Sequence, residues 1–381
     1  MKRLVGLLVF ALVLVSFGMA SPAAAGNTAA APAAKGPRFI DGQYIVTLKP
    51  GISAKAFAKG SGIATKYVYD KAVNGFTAKL TLNQVAALKR NPNIATIEQD
   101  QVMALVATQS GATWGLDRID QRNLPLSGTY NYVSTASTVN AYVIDTGIQT
   151  SHPQFGGRAA VAYDALGGNG QDCQGHGTHV AGTIGSSTYG VAKGVRLWSV
   201  RVLGCDGSGS TSGIINALNW LATNHRKPAV ANMSLGGGYS AALNSATTNM
   251  INAGVFLAVA AGNENQNACN VSPASASGTL TVAASDRTDT RASFSNYGGC
   301  VDIYAPGVSI TSTWLSGGTN TISGTSMASP HAAGVGALYK ATYGDASAST
   351  IVSWIINNST PNVIKNNPAG TPNRLLYKAG L

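Results

Sequence analysis

Apolar residues are arranged along residues 107 to 381 as short, nearly continuous runs, separated by segments with helical periodicity. Such runs predict strands that are buried on both faces, and their alternation with helices predicts a parallel sheet covered on both sides. The predicted strands are Val139–Ile144, Arg196–Leu203, Val230–Leu235, Val255–Ala260 and Leu280–Ala284, and the predicted helices are His179–Gly185, Thr211–Thr223, Ala241–Ala253, Met327–Lys340 and Ser349–Asn357. We therefore predict an α/β fold, with a site at the carboxyl ends of the strands.

A smaller unit is predicted over residues 43 to 103. Strand-like runs occur at residues 43–48, 67–69, 75–80 and 94–98, and helical runs at residues 54–58 and 82–88. This pattern predicts a small α+β unit, which could be an independent binding domain or a prosegment of the larger domain.

The first 25 residues have the three regions of a secretory signal peptide: a basic start, an apolar run over residues 4–15 and small residues up to Ala25. The apolar run is too short to span a bilayer. Cleavage could follow Ala20 or Ala25. We therefore predict a secreted, extracellular product, in which residues 26–38 form a flexible spacer rich in Ala, Gly and Pro.

The chain has a formal net charge of +11, which raises the question of a nucleic-acid or membrane partner. Residues 1–106 hold 12 Lys and Arg against 4 Asp and Glu, which leaves 14 against 11 for residues 107–381. The larger region therefore lacks the basic cluster with interleaved aromatics that nucleic-acid binding requires. Its glycine-rich loops contain neither GxGxxG nor GxxxxGK[ST], so we predict no nucleotide site.

Four cysteines follow the leader, namely Cys173, Cys205, Cys269 and Cys300. In an oxidising compartment an even number favours two disulfides, of which four cysteines allow three pairings. Buried free thiols are the alternative. A zinc knuckle is disfavoured because no pair has the required two-residue spacing.

Ser326 lies where a loop is predicted to turn into a helix. The small residues Gly324 and Thr325 precede it, and helix-forming residues with Pro330 near their start continue to Tyr339. Proline fits the first turn of a helix, so the helix should begin close to the serine and place its hydroxyl at the positive helix end. Ser326 is thus a candidate nucleophile, and an ordinary N-cap is the alternative.

Three further polar residues stand where buried strands end or a helix begins. Asp145 ends the strand in VIDTG, His176 begins a helix in GHGTHVAGT, and Asn263 follows the strand in AAGN. An aspartate, a histidine and a serine can supply an orienting carboxylate, a general base and a nucleophile. Asn263 and the Ser326 N–H could donate to an oxyanion, although an asparagine there is most often a turn former. His179 follows His176 without the glutamate of HExxH, which argues against zinc.

Taken together, VIDTG, GHGTHVAGT, AAGN and GTSMASPH resemble the subtilase family, whose subtilisin has the same order Asp, His, Ser. Segments such as WGLDRIDQRNLPL and ASFSNYGGCVDIYAPG are similar to its proteinase K branch, in particular to aqualysin-type bacterial enzymes. The match covers residues 107–381, and residues 43–103 resemble the family's inhibitor-like propeptides. The resemblance implies a three-layer peptidase domain over residues 107–381, a propeptide over residues 26–106 and a signal peptide over residues 1–25.

The resemblance implies that Asp145, His176 and Ser326 form the catalytic triad and that Asn263 is the oxyanion asparagine. Substrate in this family pairs as an extra strand, which implies two edges here. The implied edges are Gly207, Ser208 and Gly209 on one side and Ser234, Leu235 and Gly236 on the other. The implied S1 wall consists of Ser234 to Gly237 and of Ala260 to Gly262. No charged residue occurs in these segments, so we predict a loose preference for apolar or aromatic P1 residues.

A calcium site is also implied at Asp302, with the carbonyls of Ser277 and Thr279 beside it. A second site would use Asp117, Asp120 and Gln121, with Ser127 and Thr129 nearby. A solvated acidic helix start is the alternative interpretation of the second group.

The disulfide pairing implied by the aqualysin-type pattern is Cys173–Cys205 and Cys269–Cys300. The enzyme implied is a monomeric, calcium-stabilised serine endopeptidase that binds protein and peptide substrates and no nucleic acid or membrane. It would cut itself between Val106 and Ala107, and its propeptide would act as an intramolecular inhibitor and chaperone.

An inactive pseudoprotease that only binds peptides is the alternative from another functional class, and the intact catalytic positions argue against it. An esterase is disfavoured because the GxSxG elbow is absent.

Overall fold

The computed structural model describes residues 39–101 and 107–381. The predicted signal peptide, spacer and residues Met103–Val106 lie outside the described residues. The smaller unit consists of β1 (Phe39–Leu48), α1 (Ala54–Gly60), β2 (Thr65–Tyr69), β3 (Gly75–Lys79), α2 (Leu82–Lys89) and β4 (Ile94–Gln101). Its strands form an antiparallel sheet in the order β2-β3-β1-β4, and Val46, Phe76 and Leu88 lie in its core.

The larger unit contains fifteen strands among the described residues. They are β5 (Ala107–Ser110), β6 (Thr129–Tyr132), β7 (Asn140–Asp145), β8 (Ala159–Asp164), β9 (Arg196–Arg201), β10 (Ala229–Met233), β11 (Gly237–Gly238), β12 (Phe256–Ala260), β13 (Val271–Ser272), β14 (Leu280–Ser285), β15 (Ile303–Pro306), β16 (Ile310–Thr313), β17 (Thr319–Ile322), β18 (Thr360–Pro361) and β19 (Arg374–Leu375).

The α-helices of the larger unit are α3 (Trp114–Asp120), α4 (His176–Gly185), α5 (Thr211–Asn224), α6 (Ala241–Asn252), α7 (Thr325–Tyr343) and α8 (Ala348–Asn358). Ser210, Ser240 and Ser347 cap α5, α6 and α8 by accepting a backbone N–H, which satisfies a donor that the first helical turn leaves open. No helix in the described ranges is long and apolar enough to cross a membrane.

Nine strands form the central sheet in the order β18-β19-β15-β14-β12-β10-β7-β9-β8. All neighbouring pairs are parallel except β18 with β19. Every residue of β7, β10, β12 and β14 is buried, as near-continuous apolar runs in a covered parallel sheet require. The predicted α/β class with a mostly parallel sheet is confirmed.

Several elements are absent from the sequence prediction because their apolar signal is weak or short. The edge strand β8 contains no fully buried residue, and β15 has four residues and ends in Pro306. The hairpin of β16 and β17 is rich in Thr, and α3 has seven residues. Each is either too short or too weakly apolar for periodicity to separate it from a loop.

Two helix starts differ from the prediction. Helix α4 begins at His176, three residues before the predicted start at His179. Helix α7 begins at Thr325, which places Pro330 beyond the first turn, inside the helix. Proline has no N–H to offer the carbonyl of Ser326, and that carbonyl instead accepts the hydroxyl of Ser234 at 2.7 Å. A tertiary hydrogen bond therefore replaces the missing helical one.

Candidate active site

The carboxyl edge of the central sheet brings together the side chains that the sequence motifs carry. Asp145 is the last residue of β7, and His176 is the first residue of α4. Ser326 is the second residue of α7. Parallel strands collect their carboxyl ends at one edge, so residues far apart in the chain meet there.

Asp145 and His176 form a short, directed contact. His176 Nδ1 lies 2.7 Å from Asp145 Oδ1, and the Asp145 side chain is fully buried whereas that of His176 is 23% exposed. The same carboxylate oxygen accepts the Thr146 N–H at 2.8 Å. The carboxylate can therefore hold the imidazole with a proton on Nδ1, which leaves Nε2 as the basic nitrogen.

Burial alone would lower the pKa of His176. The charge of Asp145, its hydrogen bond and the charge of Asp172 act in the opposite direction, and the net pKa is raised above 6.5. His179 and His331 differ, because burial lowers the pKa of each to about 4.

Ser326 Oγ donates to the backbone oxygen of Ser234 at 3.1 Å. Within the described residues no hydrogen bond joins it to His176. Nucleophile–base hydrogen bonds are often long in free enzymes and shorten when substrate binds, so this geometry is compatible with a nucleophile that has a second resting contact.

Asp172 is a buried carboxylate that sequence reasoning missed. Its Oδ1 accepts the Thr146 hydroxyl and the Gly175 N–H, both at 2.9 Å, and the Gln174 N–H also at 2.9 Å. Its Oδ2 accepts the N–H and the hydroxyl of Thr178 at 2.9 and 2.6 Å. These five hydrogen bonds fix the conformation of the loop that positions His176. The sequence signal was an aspartate four residues before the histidine, in a segment rich in glycine.

Glycine is required at two positions beside His176. Gly175 has φ of 110°, and a Cβ there would lie 2.4 Å from the ring of Trp314. A Cβ at Gly177 would lie 2.1 Å from the carbonyl oxygen of Gly147. A side chain at either position would therefore displace the start of α4.

Asn263 is held by the residue before the candidate nucleophile. Its Oδ1 accepts the N–H and the hydroxyl of Thr325 at 2.8 and 3.0 Å, which assigns the amide orientation and frees Nδ2 to donate. A Cβ placed on Gly324 would lie 3.7 Å from Asn263 Nδ2 and 3.6 Å from Ser326 N. Both N–H donors therefore border the same small space, as an oxyanion site needs.

A groove of about 470 Å³ runs past His176, between two backbone segments. One segment contains Gly207–Gly209 and the other contains Ser234–Gly238. All six residues predicted on the two substrate edges line it, as does Gly237 of the predicted S1 wall, whereas Ala260 and Gly262 are not among its lining residues.

The turn that precedes Gly207–Gly209 determines which backbone groups of this segment are available to a peptide. Ser208 donates its N–H to Asp206 Oδ1 at 3.0 Å and accepts the Gly204 N–H at 2.8 Å. Both backbone groups of Ser208 are thus engaged inside the turn. Gly207 likewise donates its N–H to the carbonyl of Gly204 at 3.0 Å, which leaves the Gly207 carbonyl and the backbone groups of Gly209 for a peptide.

The predicted S1 wall has a charged neighbour that the segments themselves do not reveal. A Cβ on Gly262 would lie 2.7 Å from Glu264 Oε2, and that oxygen accepts Asn296 Nδ2 at 2.7 Å. A carboxylate two residues along the chain folds back beside Gly262.

The Asp302 carboxylate is suited to binding a cation. It accepts one hydrogen bond, from the Thr281 N–H at 2.7 Å, and burial raises its pKa to about 6 against the lowering effect of that bond. The described residues contain no group of three or more His, Cys, Asp or Glu placed to hold a metal. Backbone carbonyls such as those of Ser277 and Thr279 would have to supply most of the ligands for calcium.

The second predicted group fits calcium poorly. Asp117 accepts the N–H and hydroxyl of Ser127 at 3.2 and 2.9 Å and the Gly128 N–H at 2.6 Å. Gln121 Oε1 accepts the Ser127 N–H at 3.1 Å. Asp120 lies 3.2 Å from the ammonium of Lys378. The oxygens that a calcium ion needs are therefore turned toward hydrogen-bond donors.

Two disulfides are present, Cys173–Cys205 and Cys269–Cys300, with Cα–Cα distances of 5.1 and 5.2 Å. This is the pairing that the resemblance implied. The first joins the loop ahead of His176 to the segment that leads into Gly207–Gly209. The described residues contain no free cysteine.

Comparison with known proteins identifies the family. The sequence pattern of the Subtilase family matches residues 138–377, and that of Peptidase inhibitor I9 matches residues 43–106. An extracellular serine proteinase of Thermus sp. (strain Rt41A) is 49% identical over 400 residues, covering 97% of this chain and 98% of the relative. Proteinase R of Parengyodontium album is 45% identical, with 89% of each chain covered.

A solved structure of a cold-adapted subtilisin-like serine proteinase is 51% identical, with a TM-score of 0.69 over 71% of this chain and 99% of its own. The extracellular location predicted from the leader is confirmed by the relatives. These similarities, together with the residues gathered at the carboxyl edge of the sheet, show that the chain belongs to the subtilase family and is a subtilisin-like serine proteinase with an inhibitor I9 propeptide segment.

Proposed function

We propose that the chain is an endopeptidase in which Ser326 attacks the peptide carbonyl, His176 Nε2 takes the serine proton, and Asp145 stabilises the resulting imidazolium. His176 then gives the proton to the leaving amine, and water releases the acyl group by the same steps in reverse. The observation that carries this proposal is the 2.7 Å contact of His176 Nδ1 with a fully buried carboxylate.

Asn263 Nδ2 and the Ser326 N–H are proposed to bind the oxyanion. The hydroxyl and N–H of Thr325 hold the Asn263 amide before substrate arrives. Donors that are already oriented need no rearrangement as negative charge develops, which lowers the barrier more than it strengthens substrate binding.

The peptide substrate is proposed to pair with Gly207 and Gly209 on one side and with Ser234–Gly236 on the other, which aligns its scissile bond beside Ser326. Ala260 and Gly262 would contribute to the S1 wall. Apolar and aromatic P1 residues should be preferred, because the predicted wall segments carry no charged side chain.

The domain organisation is proposed as a signal peptide over residues 1–25, a propeptide over residues 26–106 and a monomeric peptidase over residues 107–381. Met103–Val106 would occupy the S4 to S1 subsites as the first substrate. A parallel sheet depends on contacts between distant residues and folds slowly, so a propeptide that templates the peptidase would help it reach the native state.

Calcium is proposed to bind at Asp302 with the carbonyls of Ser277 and Thr279. When bound, the ion would stabilise the fold by cross-linking the start of β14 to the segment before β15, and it takes no part in the chemistry. Asp302 is suited to this role because it is a half-buried carboxylate that accepts a hydrogen bond from the Thr281 N–H.

Expression of Ser326→Ala in a protease-deficient host tests the catalytic assignment and self-processing together. The wild type should yield residues 107–381, and the variant should accumulate as a proform that has lost only its signal peptide. N-terminal sequencing of both products measures this. Cleavage of the variant before Ala107 would show that another enzyme performs the maturation, whereas peptidase activity of the variant would remove Ser326 as the nucleophile.

A further inference from the structure

Ser234 holds the proposed nucleophile Ser326 at two points. The Ser234 hydroxyl donates to the carbonyl of Ser326 at 2.7 Å, and the Ser234 backbone oxygen accepts the Ser326 hydroxyl at 3.1 Å. Ser234 is 4% exposed and directly follows β10, which ends at Met233. Ser326 is thereby attached to the end of a central strand through both its main chain and its side chain.

Pro330 is the reason that the Ser326 carbonyl needs a side-chain donor. It lies inside α7, four residues after Ser326, where an α-helix normally places the N–H that bonds this carbonyl. Proline has no N–H, and a buried carbonyl without a donor is costly. The Ser234 hydroxyl supplies the missing donor. The main chain of the nucleophile thus depends on a side chain 92 residues earlier in the sequence.

The neighbours of the Ser234 hydroxyl fix the direction of its single proton. Asn232 Nδ2 lies 2.8 Å from Ser234 Oγ and Ser329 Oγ lies 3.0 Å from it, and both of these side chains are fully buried. A carbonyl can only accept a hydrogen bond, so the Ser234 proton points to Ser326. Asn232 and Ser329 then donate to the two lone pairs of Ser234 Oγ. The hydroxyl is therefore oriented before a substrate binds.

The main chain around Ser326 is held on both sides of the residue. Before it, the Thr325 N–H donates to Asn263 Oδ1 at 2.8 Å, and after it, the Ser326 carbonyl accepts the Ser234 hydroxyl. Ser326 carries both the Oγ that would attack the substrate and the N–H that would donate to the oxyanion. Loss of one hydrogen bond would let both groups shift, and a displacement of about 1 Å can lower the rate about 100-fold.

We propose that the Ser234 side chain is a positioning residue for Ser326, acting through the Ser326 carbonyl in place of the N–H that Pro330 lacks. This inference rests on the proposed function, in which Ser326 is the nucleophile. The proposed pairing of a peptide with the Ser234–Gly236 edge uses backbone groups alone. Removal of the Ser234 hydroxyl should therefore lower kcat and leave KM almost unchanged.

Steady-state kinetics of Ser234→Ala test this, with the concentration of active enzyme titrated by a covalent serine-directed inhibitor. We expect kcat to fall about 10-fold and KM to stay within about twofold of the parent value. Ser359→Ala is the matched control, because Ser359 is 3% exposed and its hydroxyl donates to the carbonyl of Ile356 at 2.6 Å, at the end of α8. The control should keep the parent kcat.

Pro330→Ala gives a second readout that a merely structural role would not move. Alanine restores a backbone N–H four residues after Ser326, so the carbonyl no longer depends on Ser234. In the Pro330→Ala background the loss of kcat caused by Ser234→Ala should shrink from about 10-fold to less than about 2-fold. If Ser234→Ala does not accumulate as folded protein, the double variant should accumulate, because the same N–H replaces the hydroxyl.

A parent-like kcat in Ser234→Ala, an equal loss in Ser359→Ala, or an effect of Ser234→Ala that is the same with and without Pro330 would overturn the proposal. So would a double variant that fails to accumulate. Ser326→Ala is assayed in the same series. Activity of that variant would refute the proposed function itself, whereas an inactive Ser326→Ala beside a parent-like Ser234→Ala would refute only the positioning role.

Discussion

Asn263 shows how much of the proposed chemistry depends on the orientation of one amide. Thr325 fixes its Oδ1 from two directions, so Nδ2 is available on the side of Ser326 N. If the Asn263 amide were removed, a water molecule could take its place in the ground state. That water would not be oriented in advance to donate to an oxyanion.

We expect Asn263→Ala to lower kcat by about 10²- to 10³-fold, the size measured for the corresponding donor in subtilisin, with little change in KM. Steady-state kinetics on a peptide substrate measure this. A change mainly in KM would contradict the oxyanion role, because it would place the contribution of the amide in substrate binding.

His176 must be neutral to act as a base, and its pKa is raised above 6.5 because Asp145 and Asp172 outweigh the effect of burial. Activity should therefore fall as pH decreases through a midpoint above 6.5, as measured by kcat/KM against pH. His179 and His331 stay neutral in this range, since burial lowers the pKa of each to about 4. A midpoint below 6.5 would speak against the assigned environment of His176.

At the scale of elements, two disulfides of nearly equal loop length constrain different parts of the peptidase domain. Cys173 and Cys205 are 32 residues apart, and Cys269 and Cys300 are 31 apart. The first pair ties the loop ahead of α4 to the turn that leads into the groove, where Ser208 and Asp206 already form a compact hydrogen-bonded unit.

Replacing either pair by serines should lower the free energy of unfolding by about 3–4 kcal/mol, because cross-links of this length restrict the unfolded chain. Denaturant unfolding in the Ser326→Ala background measures the loss, and the two double variants serve as controls for each other. Only the Cys173/Cys205 variant should also raise KM of the active enzyme. A variant as stable as its parent would show that the disulfide is not needed for the fold.

At the scale of the whole molecule, the proposed calcium site lies apart from the catalytic motifs. Asp302 precedes β15 and contacts the start of β14 through Thr281, whereas the proposed catalytic residues lie on β7, α4 and α7. Metal binding should therefore change the unfolding equilibrium and leave the chemistry of the site intact.

Calcium at 100 times its Kd should stabilise the native state by about 2.7 kcal/mol, and Asp302→Asn should abolish the effect. Thermal unfolding of the Ser326→Ala chain with calcium, with magnesium and with chelator measures it. Magnesium should substitute poorly, because it prefers shorter, octahedral coordination that includes water. A Tm that is the same in calcium and in chelator would rule out a stabilising site at Asp302.

Local sequence determined the covered parallel sheet and the placement of the motif residues at its carboxyl edge. Continuous apolar runs specify strands buried on both faces, and a polar residue at the end of such a run must lie at the sheet edge. The small residues around Ser326 and His176 likewise marked helix starts, although α4 begins three residues earlier than its periodicity indicated.

Only the tertiary structure decided the contacts between residues whose local sequence says nothing about their partners. Ser234 and Ser326 are 92 residues apart in the chain, yet the Ser234 hydroxyl donates to the Ser326 carbonyl. Pro330 leaves that carbonyl without its helical N–H donor. The five donors on Asp172, the Glu264 carboxylate beside Gly262 and the Lys378 ammonium beside Asp120 are of the same kind. Most buried polar groups find a hydrogen-bond partner, but which partner each one meets depends on how the packed elements bring distant side chains together.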